Sequence, residues 1–267
     1  MVTPDRAAGP PRRAQVMVDG QPLSYLHAGA GPALVLLHTI GGSASEYSRI
    51  LPDLAEGLSA YALDLPGHGE SYPLAVHEPV PDITRTLVGF MDAVGLRRAS
   101  VLGNSMSGTN AIELAIVQPE RVEKVVLVSG VGPWSEQTEI APRPPADVGT
   151  SELKELGWFR AQFFDASEAD QPGLFDWWAS TRSSADDEMI RAWRRRQLLA
   201  RPLSECSAPT LLVTGANDPL HPAAWARAWA ALLPRGQVET IGRANHFLNI
   251  ERPHELATIV SGFVLGH

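Results

Sequence analysis

The sequence predicts an α/β fold built on a mostly parallel, doubly wound sheet and interrupted by one helical insertion. Three observations lead there. Apolar runs without polar alternation recur along the chain, as expected of strands covered on both faces. Helix-period stretches separate them. From residue 134 to 207 that alternation stops.

Residues 1–13 carry Pro4, Pro10, Pro11 and three arginines and are expected to form a loose arm. AQVMVDGQPLSYLHAG then has two β-type runs around Asp19-Gly20, a dipeptide suited to a hairpin turn. Strands are expected at ALVLLH, YALDL, ASVLGN, KVVLVSG and PTLLVTG, with helical stretches at YSRILPDLAEGL, ITRTLVGFMDAVGL and SGTNAIELAIVQ. A helix around AAWARAWAALL, the strand QVETIG and a helix from Pro253 close the chain. The core is thus expected over 14–133 and 208–267, and a helical cap over 134–207. That insertion holds five of the seven tryptophans and four of the seven phenylalanines, so its underside is aromatic. Trp134, Trp158 and, outside the cap, Phe247 are candidate substrate-binding residues; aromatic glue between cap and core is the competing expectation.

The 267 residues, 44% hydrophobic and 19% charged, suit one large domain with an insertion. With 22 basic and 30 acidic residues the formal charge is −8, which disfavours nucleic acid and anionic membrane surfaces as partners. Cys206 is the single cysteine, so no internal disulfide forms. No segment reads as a secretory leader or a membrane span, and cytoplasmic residence is the expectation. Neither a metal-ligand cluster nor a phosphate-binding glycine loop is evident, so no cofactor or metal is expected.

The string VLGNSMSGTNAIELA places Ser105 between an apolar strand and a helix. Such a turn can hold a serine as an exposed nucleophile if the residues two before and two after are small, here Gly103 and Ser107. The helix N-terminus then points at a developing oxyanion, with the Met106 N–H as first donor. A plain helix N-cap serine is the alternative.

With HTIGGSASEY after the strand ending at His38, the chain resembles the α/β-hydrolase family, whose members commonly begin this loop His-Gly-x. Thr39 stands where the glycine usually is. The resemblance makes Ile40 N–H the second oxyanion donor and His38 a brace for the loop. DLPGHGES, residues 64–71, is similar to the family's turn after the next strand, and His68 there reads as structural. In this family the acid of the catalytic triad usually follows a late strand, which assigns Asp218 in LLVTGANDPLHP; an Asx turn before Pro219 is the alternative. His246, between the last strand and the final helix, completes the order Ser, Asp, His. His221, near Asp218, is the alternative base.

These groups imply an acyl-enzyme. His246 takes the Ser105 proton, Asp218 fixes the imidazole tautomer, and water cleaves the ester intermediate. Hydrolysis of a carboxylic ester or thioester, on a small-molecule acyl substrate, is the expected reaction. GNSMSG is similar to the GNSMGG turn of hydrolases that cleave carbon–carbon bonds in aromatic ring-fission products, although those carry a glycine-rich oxyanion loop and a tryptophan after the histidine, where this chain has Phe247. Acyl transfer, carbon–carbon hydrolysis and non-catalytic ligand binding are the alternatives. Arg191, Arg194 and Arg195 share a helical face, with Arg196 turned away and Arg201 beyond. That face is either solvated or attracts an anionic substrate or an acyl carrier protein.

Overall fold

The computed structural model describes residues 10–74, 82–130, 156–182 and 201–266. Eight strands form one sheet: β1 (Arg12–Val18), β2 (Gln21–Ala28), β3 (Ala33–Leu37), β4 (Ser59–Leu63), β5 (Ala99–Asn104), β6 (Val122–Val128), β7 (Thr210–Gly215) and β8 (Gly236–Ile241). Their order is β1-β2-β4-β3-β5-β6-β7-β8. The pairs β1–β2 and β2–β4 are antiparallel, and every pair from β4–β3 to β7–β8 is parallel. The helices are α1 (Leu51–Leu54), α2 (Ile83–Ala93), α3 (Ser107–Val117), α4 (Leu156–Arg160), α5 (Leu174–Ser180), α6 (Ala223–Ala230), α7 (Leu248–Glu251) and α8 (Pro253–Leu265).

The hairpin turn has Asp19 and Gly20 at φ 50° and 78°, the two positive angles that match the twist of a tight hairpin. The first strand begins at Arg12, inside the stretch expected to be loose. Arg13 explains this: its guanidinium donates to Asp64 at 2.6 Å, Ser24 at 2.7 Å and Ser45 at 3.0 Å, which ties the edge strand down.

Uninterrupted apolar strands follow from two covered faces. Along β3, Val35 and Leu37 enter one core with Leu87, Phe90, Ile112 and Trp229, while Leu34 and Leu36 enter the other with Ile50, Leu54, Leu256 and Val260. Helices α2, α3 and α6 thus cover one face, and α1 and α8 the other. Each fully buried leucine contributes about 1.5–3 kcal/mol. The helical stretch expected at YSRILPDLAEGL is shorter than its periodicity suggests, a 3₁₀ turn at Ala44–Tyr47 followed by α1.

After β3 the chain runs to β4 on one side and then to β5 on the other, so the strand order reverses there, and open α/β sheets bind ligands beyond the strands' carboxyl ends at such a point. Of the insertion, α4, α5 and the 3₁₀ turns Ala166–Asp170 and Leu203–Glu205 are described, and Trp134 and residues 191–196 lie outside the described residues. A third cluster, Phe159, Phe163, Leu174, Trp178, Phe247 and Ile250, joins the described part of the insertion to the sheet domain. Among the described residues no helix is long and apolar enough to cross a membrane.

Candidate active site

Ser105 follows β5 directly and holds φ 50°, a left-handed conformation uncommon for a residue with a side chain. The turn is tight enough that a Cβ on Gly103 would sit 2.3 Å from the Ser107 carbonyl oxygen, so only glycine fits two residues before the serine. The Ser105 N–H donates to Val128 O on the neighbouring strand at 2.9 Å, and the Gly108 N–H closes the turn on Ser105 O at 3.0 Å. Ser107, where a glycine was the usual choice, has a use of its own. Its hydroxyl donates to His38 O at 2.5 Å and ties α3 to the loop after β3.

Asp218 and His246 lie beyond the ends of β7 and β8. His246 Nδ1 is 2.9 Å from Asp218 Oδ2, and both side chains are buried. The other carboxylate oxygen accepts from the Leu220 and His221 N–H groups at 2.8 and 3.0 Å, which fixes its orientation. Burial works against ionisation of Asp218, but the charge and hydrogen bond of His246, with His221, outweigh it and hold the carboxyl below its ordinary value. The His246 backbone is clamped as well: its N–H donates to Gln162 O at 3.2 Å and its carbonyl accepts from the Ser129 hydroxyl at 2.7 Å. Ser129 itself sits just past β6 at φ 44°. Ser105, Ser129, Asp218 and His246 thus leave four neighbouring strands at one rim of the sheet.

His221 stacks on His246, ring centroids 5.1 Å apart, with the two Nδ1 atoms separated by 3.5 Å. Burial first, then the nearby His246, lowers its pKa to about 3 against the pull of Asp218, so it stays neutral. It is His246, and not His221, that makes the 2.9 Å bond to the Asp218 carboxylate.

The loop after β3 carries Ile40, on the strand adjoining β5, and therefore lies beside the turn that carries Met106. His38 is wholly buried; Nδ1 is 2.8 Å from Thr39 O, and Nε2 accepts from the Leu65 N–H at 3.1 Å. Burial lowers its pKa to about 4, and that of His68, whose tilted ring lies 4.8 Å away, to about 3. Both are neutral braces.

Thr39 explains its own departure from glycine. Its N–H and hydroxyl donate to the two oxygens of Glu46 at 2.9 and 3.0 Å, and its hydroxyl accepts from Arg182 at 3.1 Å. Arg182 also donates to Ile40 O, lies 3.8 Å from Glu46, and packs over Trp178 with Cζ 5.2 Å from the ring centroid. Burial pushes the Glu46 carboxyl up and the Arg182 guanidinium down, so desolvation outweighs their mutual attraction. The Asn104 amide, next to Ser105, reaches Glu46 at 3.5 Å. Sequence reasoning missed this network: Glu46 sits in an unremarked polar stretch, and no local pattern pairs it with Arg182.

A second seam joins the insertion to the His246 loop. Glu251 accepts from the Phe164 and Asn245 N–H groups at 2.7 and 2.8 Å, and Arg252 bonds Glu168 at 2.7 Å. Trp158 stacks on Trp178 at 6.0 Å and meets Phe247 edge-on at 5.6 Å. These two candidates therefore lie in the aromatic seam, with Phe247 also beside the His246 ring at 5.8 Å.

The arrangement is an acid–imidazole pair and a strained serine at one sheet rim, next to a braced loop. Comparison with known proteins gives the same architecture. The sequence pattern described as "Alpha/beta hydrolase family" matches residues 34–259. The chain is similar to the dihydrolipoyllysine-residue acetyltransferase component of the acetoin cleaving system of Cupriavidus necator, 29% identical over 91% of this chain and 66% of that one. A Pseudomonas putida relative, 2-hydroxy-6-oxononadienedioate/2-hydroxy-6-oxononatrienedioate hydrolase 2, is 28% identical over 91% of both chains. Among solved structures, 2-hydroxy-6-oxo-6-phenylhexa-2,4-dienoate hydrolase from Rhodococcus sp. strain RHA1 shares the fold with a TM-score of 0.76 at 22% identity, over 96% of this chain and 99% of that one. The chain belongs to the alpha/beta hydrolase family.

Proposed function

We propose that this protein is a serine hydrolase that cleaves a carboxylic ester or thioester of a small molecule through an acyl-enzyme on Ser105. One juxtaposition supports the reading above all: a serine held at φ 50° between strand and helix, at the same sheet rim as a 2.9 Å Asp218–His246 hydrogen bond. With Nδ1–H donated to Asp218, His246 presents the Nε2 lone pair as base. It takes the Ser105 proton as the hydroxyl oxygen attacks the acyl carbon. The carbonyl oxygen gains negative charge and is received by the Met106 and Ile40 N–H groups. His246 then protonates the departing alcohol or thiol, and in the second half it activates the water that releases the acid.

A second reading, hydrolysis of a carbon–carbon bond in a dienol ring-fission product, is favoured by the Pseudomonas putida relative, which matches along nearly its whole length. The Cupriavidus necator relative favours acyl transfer over hydrolysis, by an acceptor that outcompetes water. A substrate panel separates them: short p-nitrophenyl esters, acyl-CoA thioesters and a dienol ring-fission product, each with and without an added alcohol acceptor, in wild type and Ser105→Ala. Ester or thioester turnover that vanishes in Ser105→Ala is the expected result. Turnover of the dienol alone would replace the first reading with the second.

A further inference from the structure

His221 takes no part in the acyl transfer described above, yet it is built against the base. Its Nδ1 lies 3.5 Å from His246 Nδ1, and Asp218 Oδ2 lies 2.9 Å from that same His246 nitrogen. One donor atom from each of the three side chains falls within 4.8 Å of the others. The residues are 4%, 8% and 5% exposed. Backbone N–H groups hold Asp218 Oδ1, which leaves Oδ2 for the cluster. A tetrahedral ion with metal–ligand bonds of about 2.0–2.2 Å spans donor pairs roughly 3.3–3.5 Å apart; two of the three pairs, at 2.9 and 3.5 Å, lie near that span, and the third, within 4.8 Å, would draw in around the ion.

We propose that Asp218, His221 and His246 form an inhibitory site for a borderline divalent ion, with zinc the representative case. Two imidazoles and one carboxylate suit zinc and discriminate against magnesium and calcium, which take oxygen ligands. The inhibition follows from proton bookkeeping at His246. The neutral ring carries its single proton on Nδ1, donated to Asp218. When the Nδ1 lone pair goes to the metal, that proton moves to Nε2, and the ring stays neutral. No proton is released, but the lone pair that would take the Ser105 proton is gone. In the tautomer with its proton on Nε2, His221 offers the Nδ1 lone pair and gives up nothing on coordination. The ion therefore silences the base without touching the serine. The loss of activity rests on the proposed function; the binding of the ion does not.

Zinc titration of the purified full chain tests both parts, with binding followed by calorimetry and ester turnover in parallel, in wild type, Ser105→Ala, His221→Phe and His221→Asn. The phenylalanine keeps an aromatic ring against His246 and removes only the ligand; the asparagine guards against a folding defect in that variant, and circular dichroism checks both. Wild type and Ser105→Ala are expected to bind one zinc per chain with matching affinity. In both His221 variants affinity falls at least about tenfold, and the inhibition curve moves with it. Their metal-free turnover stays within several-fold of wild type. Magnesium has no effect, and a chelator restores activity. Zinc that binds or inhibits the His221 variants as it does wild type overturns the proposal, as does a wild type that binds none. Zinc binding that depends on His221, in a chain that turns over no ester, upholds the site and rejects the hydrolase reading instead.

Discussion

Asp218 with His246 and Glu46 with Arg182 are both buried acid–base pairs at the same rim of the sheet, but their basic partners differ. Histidine exchanges a proton near neutral pH, whereas arginine stays charged. The first pair is short, at 2.9 Å, and its carboxylate is favoured over its protonated form. The second is looser, at 3.8 Å, and its carboxylate is disfavoured by burial despite Thr39, Asn104 and Arg182. The first pair thus joins its acid to a ring able to exchange a proton, while the second ties the Thr39–Ile40 loop to the insertion, where Ser43 also donates to Thr181 O at 2.7 Å. Burial of a charge pair therefore says little about its role; the partner's chemistry and the loop it grips say more.

The sharpest way to break this comparison is to neutralise each acid in turn. Asp218→Asn is expected to lower kcat about 10⁴-fold with little loss of stability, because it fixes the wrong imidazole tautomer. Glu46→Gln should lower kcat by less than about 10²-fold, through a displaced oxyanion donor. Steady-state kinetics with one ester checks both. Equal losses would erase the distinction.

Stability should respond in the opposite sense. Arg182→Met leaves Glu46 buried without its cation and is expected to cost about 3–5 kcal/mol in urea unfolding. Adding Glu46→Gln to Arg182→Met should recover much of that loss. If the double variant is no more stable than Arg182→Met, the pair is not the unit described here.

Acid should expose the neutral histidines. His38 and His68 have folded-state values of about 4 and about 3, below the ordinary 6.5, so the unfolded chain takes up protons first as pH falls. Their contribution to stability is complete above 6.5 and falls below it, each adding a slope of about 1.4 kcal/mol per pH unit until its folded value is reached. Urea midpoints at several pH values in wild type and His68→Gln check this, the variant having the shallower slope. The smallest expected effect is Ser107→Ala, which removes one hydrogen bond to His38 O and should cost about 1 kcal/mol with a several-fold drop in kcat.

The sheet, its hairpin and the strand–turn–helix setting of Ser105 were legible because each depends on local order, whereas Asp218 and His246 were assigned through the family resemblance, from their places after late strands. The Thr39 and Ser107 departures were visible as well, but not their reasons, which are bonds to Glu46 and His38 made by chain folding. Arg182 and Glu46 meet only when the insertion docks on the β3 loop, and His221 meets His246 only across the ends of β7 and β8. Such contacts leave no periodicity. Trp158 illustrates the same limit, since its packing against Trp178 and Phe247 has no local signal in the sequence.

The central claim, that Ser105 is the nucleophile, is tested most directly by labelling the chain with a fluorophosphonate and locating the adduct by intact-mass and peptide mass spectrometry. The account predicts one adduct per wild-type chain, on Ser105, much slower formation in Asp218→Asn, and none in a folded Ser105→Ala. An adduct on Ser107 or Ser129, or undiminished labelling of Ser105→Ala, would contradict it.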